Sequence, residues 1–467
     1  MPIATPAAPT KRDPACPARG SARVGLLFDF DWDRIAHDRL RREQGWQFDR
    51  AGFDLFSFPS NVRLAWADVE RFAARQARRA RRRGWAGVVS HQEHFGALAA
   101  ALTAEIAGLP GNRPEAVLAC QHKLHARRVL QRVAPEANPA FELLDAAYGD
   151  PIPDGITYPR FVKPVRAAFS VLARHVASHA ELQAHTRFGW RELWVIRHLV
   201  EPFDRIARRR LPEAGSAHRL ILEEPVRGRQ YNLDGFVWRG RMHVLGVVDA
   251  VMVPGTQAFM RFELPSRLPQ PVAARAAEVA RRFLAEVGFD HGLFNMEFVH
   301  DAANDRLTVI EFNPRLASQF GDLYRRVHGV DPHAIGLALA AGADPLALPR
   351  VQPPSGAAAS FVYRAFAPDQ VAGAPTPARR AALREAFPDA LLFSFPKHGQ
   401  ALARDFKWLG SHRYGIVHLG GRDRADLARR CREASALLGW PAPLAGEPEA
   451  LAQPPAWPAP DLVGVPL

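Results

Sequence analysis

Along residues 293–315 the chain alternates apolar and polar positions with a period of two, breaks, and then forms a second apolar run. Phe294, Met296 and Phe298 alternate with Asn295, Glu297 and Val299, the segment Asp301-Ala302-Ala303-Asn304-Asp305-Arg306 supplies turn residues, and Leu307, Val309, Ile310 and Phe312 follow. This predicts a β-hairpin. The same reading predicts strands at Arg23–Phe28, Trp85–Ser90, Arg160–Pro164, Leu220–Glu224, Tyr231–Trp238, Met242–Val251, Ala359–Ala365 and Tyr414–Leu419. A period near 3.6 predicts helices opening near Lys123 and spanning Phe188–Arg210, Pro271–Val287 and Arg424–Leu438. The order implies an α/β lobe over residues 22–110, a central region with antiparallel sheet over 111–350 and a C-terminal α/β lobe over 351–445. Residues 1–21 and 446–467 are Pro-rich, the first expected to be a disordered tail and the second to lie along the surface or stay flexible.

Composition narrows the class. The length, 467 residues, exceeds one ordinary core, and 48% hydrophobic content excludes a largely disordered chain. Three scattered cysteines, Cys16, Cys120 and Cys431, make neither a disulfide framework nor a metal motif. No segment reads as a signal peptide or membrane span, so a cytoplasmic, membrane-free protein is expected. The net charge of +13 raises nucleic-acid binding as a function. However, the densest basic run, Arg75 to Arg83, carries an apolar stripe at Val69, Phe72, Ala73, Gln76 and Ala80 and no interleaved aromatics. It reads as the solvated face of a helix, which ranks nucleic-acid binding well below the chemistry that follows.

That chemistry starts in the hairpin. Glu311 and Asn313 are two residues apart and leave one face of their strand, and a hairpin partner can set Glu297 beside them. Two carboxylates and an amide oxygen form a hard donor set suited to magnesium, with manganese as a substitute. Only five lysines occur among 61 basic residues: Lys11, Lys123, Lys163, Lys397 and Lys407. Where arginine is the default cation, a retained lysine invites a reason, and a compact ammonium is a point charge suited to phosphate. No GxxxxGK[ST] loop and no strand-linked GxGxxG is present, which removes those nucleotide-binding readings.

Four sequence features together resemble the ATP-grasp superfamily: Glu311-Phe312-Asn313-Pro314-Arg315 with Glu297 upstream, Lys123 opening a helix, Phe161-Val162-Lys163-Pro164 ending a strand, and Leu220-Ile221-Leu222-Glu223-Glu224-Pro225-Val226. The resemblance covers roughly residues 115–345 and implies an ATP-grasp fold of class α/β (α+β), with an N-terminal pre-grasp lobe, central antiparallel-sheet grasp lobes and a C-terminal α/β lobe. It implies ATP as cofactor, held by Lys123 and Lys163 at the phosphates. Glu223 by side chain and Glu224 and Val226 by main chain take the adenine roles, and Gln230 takes the ribose position. Magnesium would be held by Glu297, Glu311 and Asn313, while Arg315 acts on the substrate carboxylate or the tetrahedral intermediate. The phosphate-covering loop after Lys163 lacks the family's glycines; Ser170 keeps a polar role there and Arg166 is expected to supply charge.

Within the superfamily the chain looks closest to carboxylate–amine ligases of the amino-acid and dipeptide type, which join small carboxylates and amines through an acyl phosphate. Biotin-carboxylase-like chemistry and an ATP-binding protein without turnover are the alternatives. Segments 261–266 and 316–320 are expected to line the acceptor side, and His91, Glu93 and His94 lie near a substrate entrance or simply cap a helix. No feature specifies the oligomeric state; a homodimer is common at this size.

Overall fold

The structure, a computed structural model, describes residues 22–53, 68–167, 172–445 and 462–467. Strands β1 (Arg23–Leu27), β2 (Gln47–Ala51) and β3 (Trp85–Val89) form a parallel sheet in the order β2-β1-β3. The Trp85 ring crosses Gly25, where a Cβ would lie 2.1 Å from it, and its indole Nε1 donates to Asp49 Oδ2 at 2.6 Å. The arginine-rich run is the helix Val69–Arg83, capped by the Asp68 side chain accepting from Arg71 N and ended by left-handed Gly84. Val69, Ala73, Ala77 and Ala80 are its buried stripe. Arg79 and Arg83 pair with Asp49 at 3.5 and 2.9 Å, so part of the basic face is spent within the lobe.

A small antiparallel sheet follows, in the order β4-β7-β5-β6, from β4 (Phe141–Leu144), β5 (Arg160–Pro164), β6 (Arg174–Val176) and β7 (Leu220–Glu223). The large sheet runs β12-β11-β8-β9-β10-β13-β15-β14, with β8 (Arg229–Trp238), β9 (Arg241–Met252), β10 (Phe259–Leu264), β11 (Gly292–Asp301), β12 (Arg306–Asn313), β13 (Ala357–Ala365), β14 (Leu391–Ser394) and β15 (His412–Gly421). Because β13 pairs with β10, segment 351–445 extends this sheet and does not build one of its own. The chain end differs from its expected tail: β16 (Val465–Pro466) pairs with the start of β9, and Leu467 packs on the core.

The predicted hairpin is present, with one departure that decides its faces. Glu297 lies opposite Glu311, but Phe298 lies opposite Val309, leaving Ile310 as an extra residue in a β-bulge. A strict alternation would put Val309 and Phe312 on opposite faces. The bulge turns both into the core, where the Phe312 ring stacks on Phe283 from the helix Gln270–Glu286 with centroids 3.7 Å apart, and leaves Glu311 and Asn313 on the other face.

Candidate active site

A cleft of about 1300 Å³ opens between the two antiparallel sheets, lined by Lys123, Lys163 and Glu223 on one side and Asn295, Glu297 and Glu311 on the other. Its upper wall starts with helix Lys123–Val133, whose N-cap His122 accepts from His125 N at 3.2 Å. Lys123 and Arg127 are one turn apart and share a face. Lys123 Nζ reaches Glu311 Oε2 at 2.8 Å and the Ala167 carbonyl at 3.0 Å. Lys163, at the end of β5, places Nζ 2.8 Å from Glu223 Oε1 and donates to the Ile310 carbonyl at 3.4 Å. Burial lowers the Lys163 pKa to about 8, although Glu223 pulls the other way.

Arg127 went unread in the sequence because it sits in a basic helix like any surface arginine; its spacing of four from Lys123 was the available signal. It donates Nε and Nη2 to the two Glu223 oxygens at 2.6 and 3.2 Å, and Nη1 and Nη2 to the Val309 and Ile310 carbonyls at 2.8 Å each. It thereby satisfies carbonyls of the bulged edge strand. Glu223 thus has protein partners besides the adenine expected for it. Its carboxylate, assigned to adenine by side chain, is taken by Arg127 and Lys163; burial would raise its pKa, and those two charges more than offset that and hold it low. Glu224 also differs in detail: its N–H donates to Ala140 O at 2.9 Å, so a main-chain contact to a base falls to its carbonyl. Val226 is 40% exposed at the rim.

On the lower wall the register sets Glu297 against Glu311 and Asn295 against Asn313. Burial and then the Glu311 charge raise the Glu297 pKa; burial also acts to raise that of Glu311, but Lys123, Lys163 and Arg315 more than reverse it. Gln230 Nε2 donates to Glu297 Oε2 at 2.8 Å, so the residue expected at the ribose also touches a hairpin acid. Beneath, Asn313 Nδ2 donates to Asn295 Oδ1 at 3.1 Å, Asn295 Nδ2 donates to Asp234 Oδ1 at 3.1 Å, and Tyr324 donates to Asp234 Oδ2 at 2.8 Å. Burial pushes the Asp234 pKa up to about 7.

Arg315 is held by the N-terminal lobe. Its Nε donates to Glu93 Oε2 at 2.9 Å and its Nη2 to Asn313 Oδ1 at 3.1 Å. Arg166, expected to offer charge to phosphate, is instead buried against Glu93, 3.4 Å from Oε1, with its guanidinium over the Phe203 ring. A side chain already committed to a buried carboxylate and a ring face is structural here. Helix capping at 91–94 falls to Gln92, whose Oε1 accepts from Phe95 N and Gly96 N, while His94 Nε2 meets the Leu199 carbonyl at 3.1 Å. Ser170 lies outside the described residues. Arg261, Phe262 and 317–320 do line the cleft beyond Arg315.

Magnesium was inferred from the hairpin, and the residues suit it. All three side chains can offer hard oxygen donors, and the burial and the Glu311 charge that oppose ionisation of Glu297 are what a divalent cation relieves.

Two antiparallel sheets closing on a cleft, with lysines on one wall and paired acids on the other, define an ATP-grasp fold. The family model for the ATP-grasp domain matches residues 156–322, within that cleft. The chain is 27% identical over 263 residues to carnosine synthase 1 of Gallus gallus, an overlap of 54% of this chain, and spans 27% of the length of that curated relative. An L-amino acid ligase from Bacillus licheniformis has the same fold, with a TM-score of 0.63 at 15% identity over 90% of this chain and 98% of that one. N5-carboxyaminoimidazole ribonucleotide synthetase from Thermus thermophilus superposes with a TM-score of 0.59 at 17% identity over 91% of this chain and 100% of that one. Among the described residues no helix is long and apolar enough to cross a membrane.

Proposed function

We propose that this chain is an ATP-dependent carboxylate–amine ligase that forms an amide bond and releases ADP and phosphate. The observation that carries the reading is the register of Glu297 against Glu311, with Asn313 nearby on the same strand as Glu311 and two of the five lysines opposite. Lys123 and Lys163 would hold the ATP phosphates, Lys123 exchanging its Glu311 partner for phosphate. The Glu224 carbonyl and Val226 main chain would meet adenine. Gln230, its N–H spent on Glu297, keeps its amide oxygen for a ribose hydroxyl. Glu297, Glu311 and Asn313 would hold magnesium, which when bound neutralises charge on the β- and γ-phosphates.

The chemistry then runs in two displacements. A carboxylate oxygen of the first substrate attacks the γ-phosphorus and ADP leaves, giving an acyl phosphate. The amine nitrogen of the second attacks the acyl carbon, phosphate leaves and the nitrogen sheds a proton. Arg315, which donates to Glu93 and Asn313, would hold the carboxylate and then the oxyanion. The cleft is larger than an ordinary single-ligand pocket, which supports a nucleotide and two further substrates sharing it.

The test is release of ADP and phosphate from ATP and magnesium, screened over pools of amino acids and small carboxylic acids, with and without amines. Release that requires both an acid and an amine is the expected result. Release with bicarbonate alone would replace the reading with carboxylase chemistry, and ATP binding without turnover in any pool would overturn the ligase assignment.

A further inference from the structure

Beside Arg315, four titratable side chains from three segments meet, with His91 also lining the cleft. Asp33 and His37 lie one turn apart on the helix Asp31–Gln44, His91 follows β3, and His333 opens the helix Pro332–Ala340. Their exposures are 1%, 0%, 5% and 3%, so bulk water does not serve them. His333 Nε2 lies 3.0 Å from Asp33 Oδ1, and one ligand atom from each of Asp33, His91 and His333 lies within 4.8 Å of the others. The imidazole of His37 is centred 5.7 Å from that of His333 and 6.3 Å from that of His91.

Hydrogen bonding accounts for one of these rings only. His91 Nε2 and His37 Nε2 are buried without a hydrogen-bond partner, and His37 Nδ1 makes no hydrogen bond but lies 3.8 Å from Asp29 Oδ1. Each such atom left unsatisfied in an interior carries the full penalty of its lost hydration. The surroundings are nevertheless shaped for the rings: a Cβ on Gly321 would lie 2.5 Å from His333 Cε1, so only glycine admits that imidazole. Asp33 is also oriented from outside the cluster, since its Oδ2 accepts from Phe30 N at 3.0 Å while Oδ1 faces His333. Such an outer contact is the usual way a ligating carboxylate is aimed.

We propose that Asp33, His91 and His333, with His37 as the neighbouring fourth donor, form a site for a divalent transition metal of the zinc class, distinct from the magnesium end of the cleft. Imidazole nitrogens with one carboxylate are the donors such an ion prefers, and they disfavour magnesium, which selects oxygen. Metal–ligand distances of about 2.0–2.1 Å put tetrahedral donor atoms roughly 3.3 Å apart, close to the Asp33–His333 separation and reached from the other pairs by a short inward movement. The ion would tie the N-terminal lobe to the helix behind the hairpin. It would also fix His91, two residues from the Glu93 that holds Arg315.

The experiment is metal analysis of the untagged full-length chain after loading with Zn²⁺ and dialysis against metal-free buffer. The expected result is about one zinc ion retained per chain, lost in His91→Gln and in His333→Gln but kept in His218→Ala. His218 belongs, with Glu201 and Asp204, to the other three-residue cluster with ligand spacing among the described residues. Absence of retained zinc in the unaltered chain, retention in both glutamine variants, or loss on replacing His218 would each overturn the proposal. Should the glutamine variants not fold, cobalt loaded into the unaltered chain decides. Intense visible bands of a tetrahedral nitrogen–oxygen complex support the site, and their absence removes it.

Discussion

Two lysine–glutamate contacts of the same length, 2.8 Å, stand at the two ends of the cleft and do different things. Lys163 and Glu223 have side chains 4% and 6% exposed, and Arg127 occupies both Glu223 oxygens, so this end is closed and carries an excess of positive charge. Lys123 and Glu311 are 14% and 25% exposed, and Glu297 adds a second carboxyl, so that end is open to solvent and rich in negative charge. The difference teaches that contact distance is a poor guide to role. Burial and the count of like charges set how readily each pair yields to an incoming ion, Glu223 staying with Arg127 when Lys163 turns to a ligand and Glu311 being released when Lys123 does.

The comparison is broken most directly at the open end. Glu311→Gln is expected to lower kcat/KM on the order of 10³-fold, about 4 kcal/mol, while leaving the melting temperature nearly unchanged. Steady-state kinetics beside a thermal melt would show it, and full magnesium-dependent turnover would sink the assignment of that end. At the closed end the signature reverses. Arg127→Met strips the buried Glu223 of two bonds and frees the Val309 and Ile310 carbonyls, and should cost about 3 kcal/mol in denaturant unfolding.

A pH series sharpens the same contrast. Lys163, lowered by burial to about 8, is the form that binds phosphate only while protonated, so ATP affinity should fall as pH rises through about 8. The loss is up to about tenfold per pH unit, and Lys163→Arg should flatten the profile. Calorimetric titration from neutral to alkaline pH reads this; equal slopes in both proteins would point to another group. The smallest effect belongs to a pair with similar geometry on the surface: Arg132 and Glu286 lie 3.0 Å apart with side chains 56% and 41% exposed. Glu286→Gln should move neither the melt nor turnover measurably.

How much of this was legible varied with the range of the interaction. The hairpin, the paired lysines and the helix Arg424–Leu438 follow from local period and spacing, and the structure has that helix over the same residues. The facing of Glu297 and Glu311 needed only a hairpin, whereas the bulge at Ile310 left no clearer trace than two adjacent apolar residues. The ion pairs of Glu223 were not legible because its partners, Arg127 and Lys163, come from other elements. The closure of segment 351–445 onto β10 and the return of the chain end to β9 are strand pairings between distant residues, which alternation cannot choose. His333 lies 300 positions from Asp33, and no local pattern joins them.

The extra residue at 310 also shapes how this hairpin can change through descent. Another side chain at that position keeps both faces of β12 as they are, because the turn of the strand depends on the count of residues and not on their identity. Loss of the residue is tolerated too, because Val309 opposite Phe298 would then be followed directly by Glu311 opposite Glu297 in a regular ladder, whereas a residue lost from a stretch paired one to one would carry Glu311 and Asn313 into the core and Phe312 out of it. Relatives that keep this site should therefore vary freely in what stands at the bulge, or lack it, and hold the length of the paired stretches on either side.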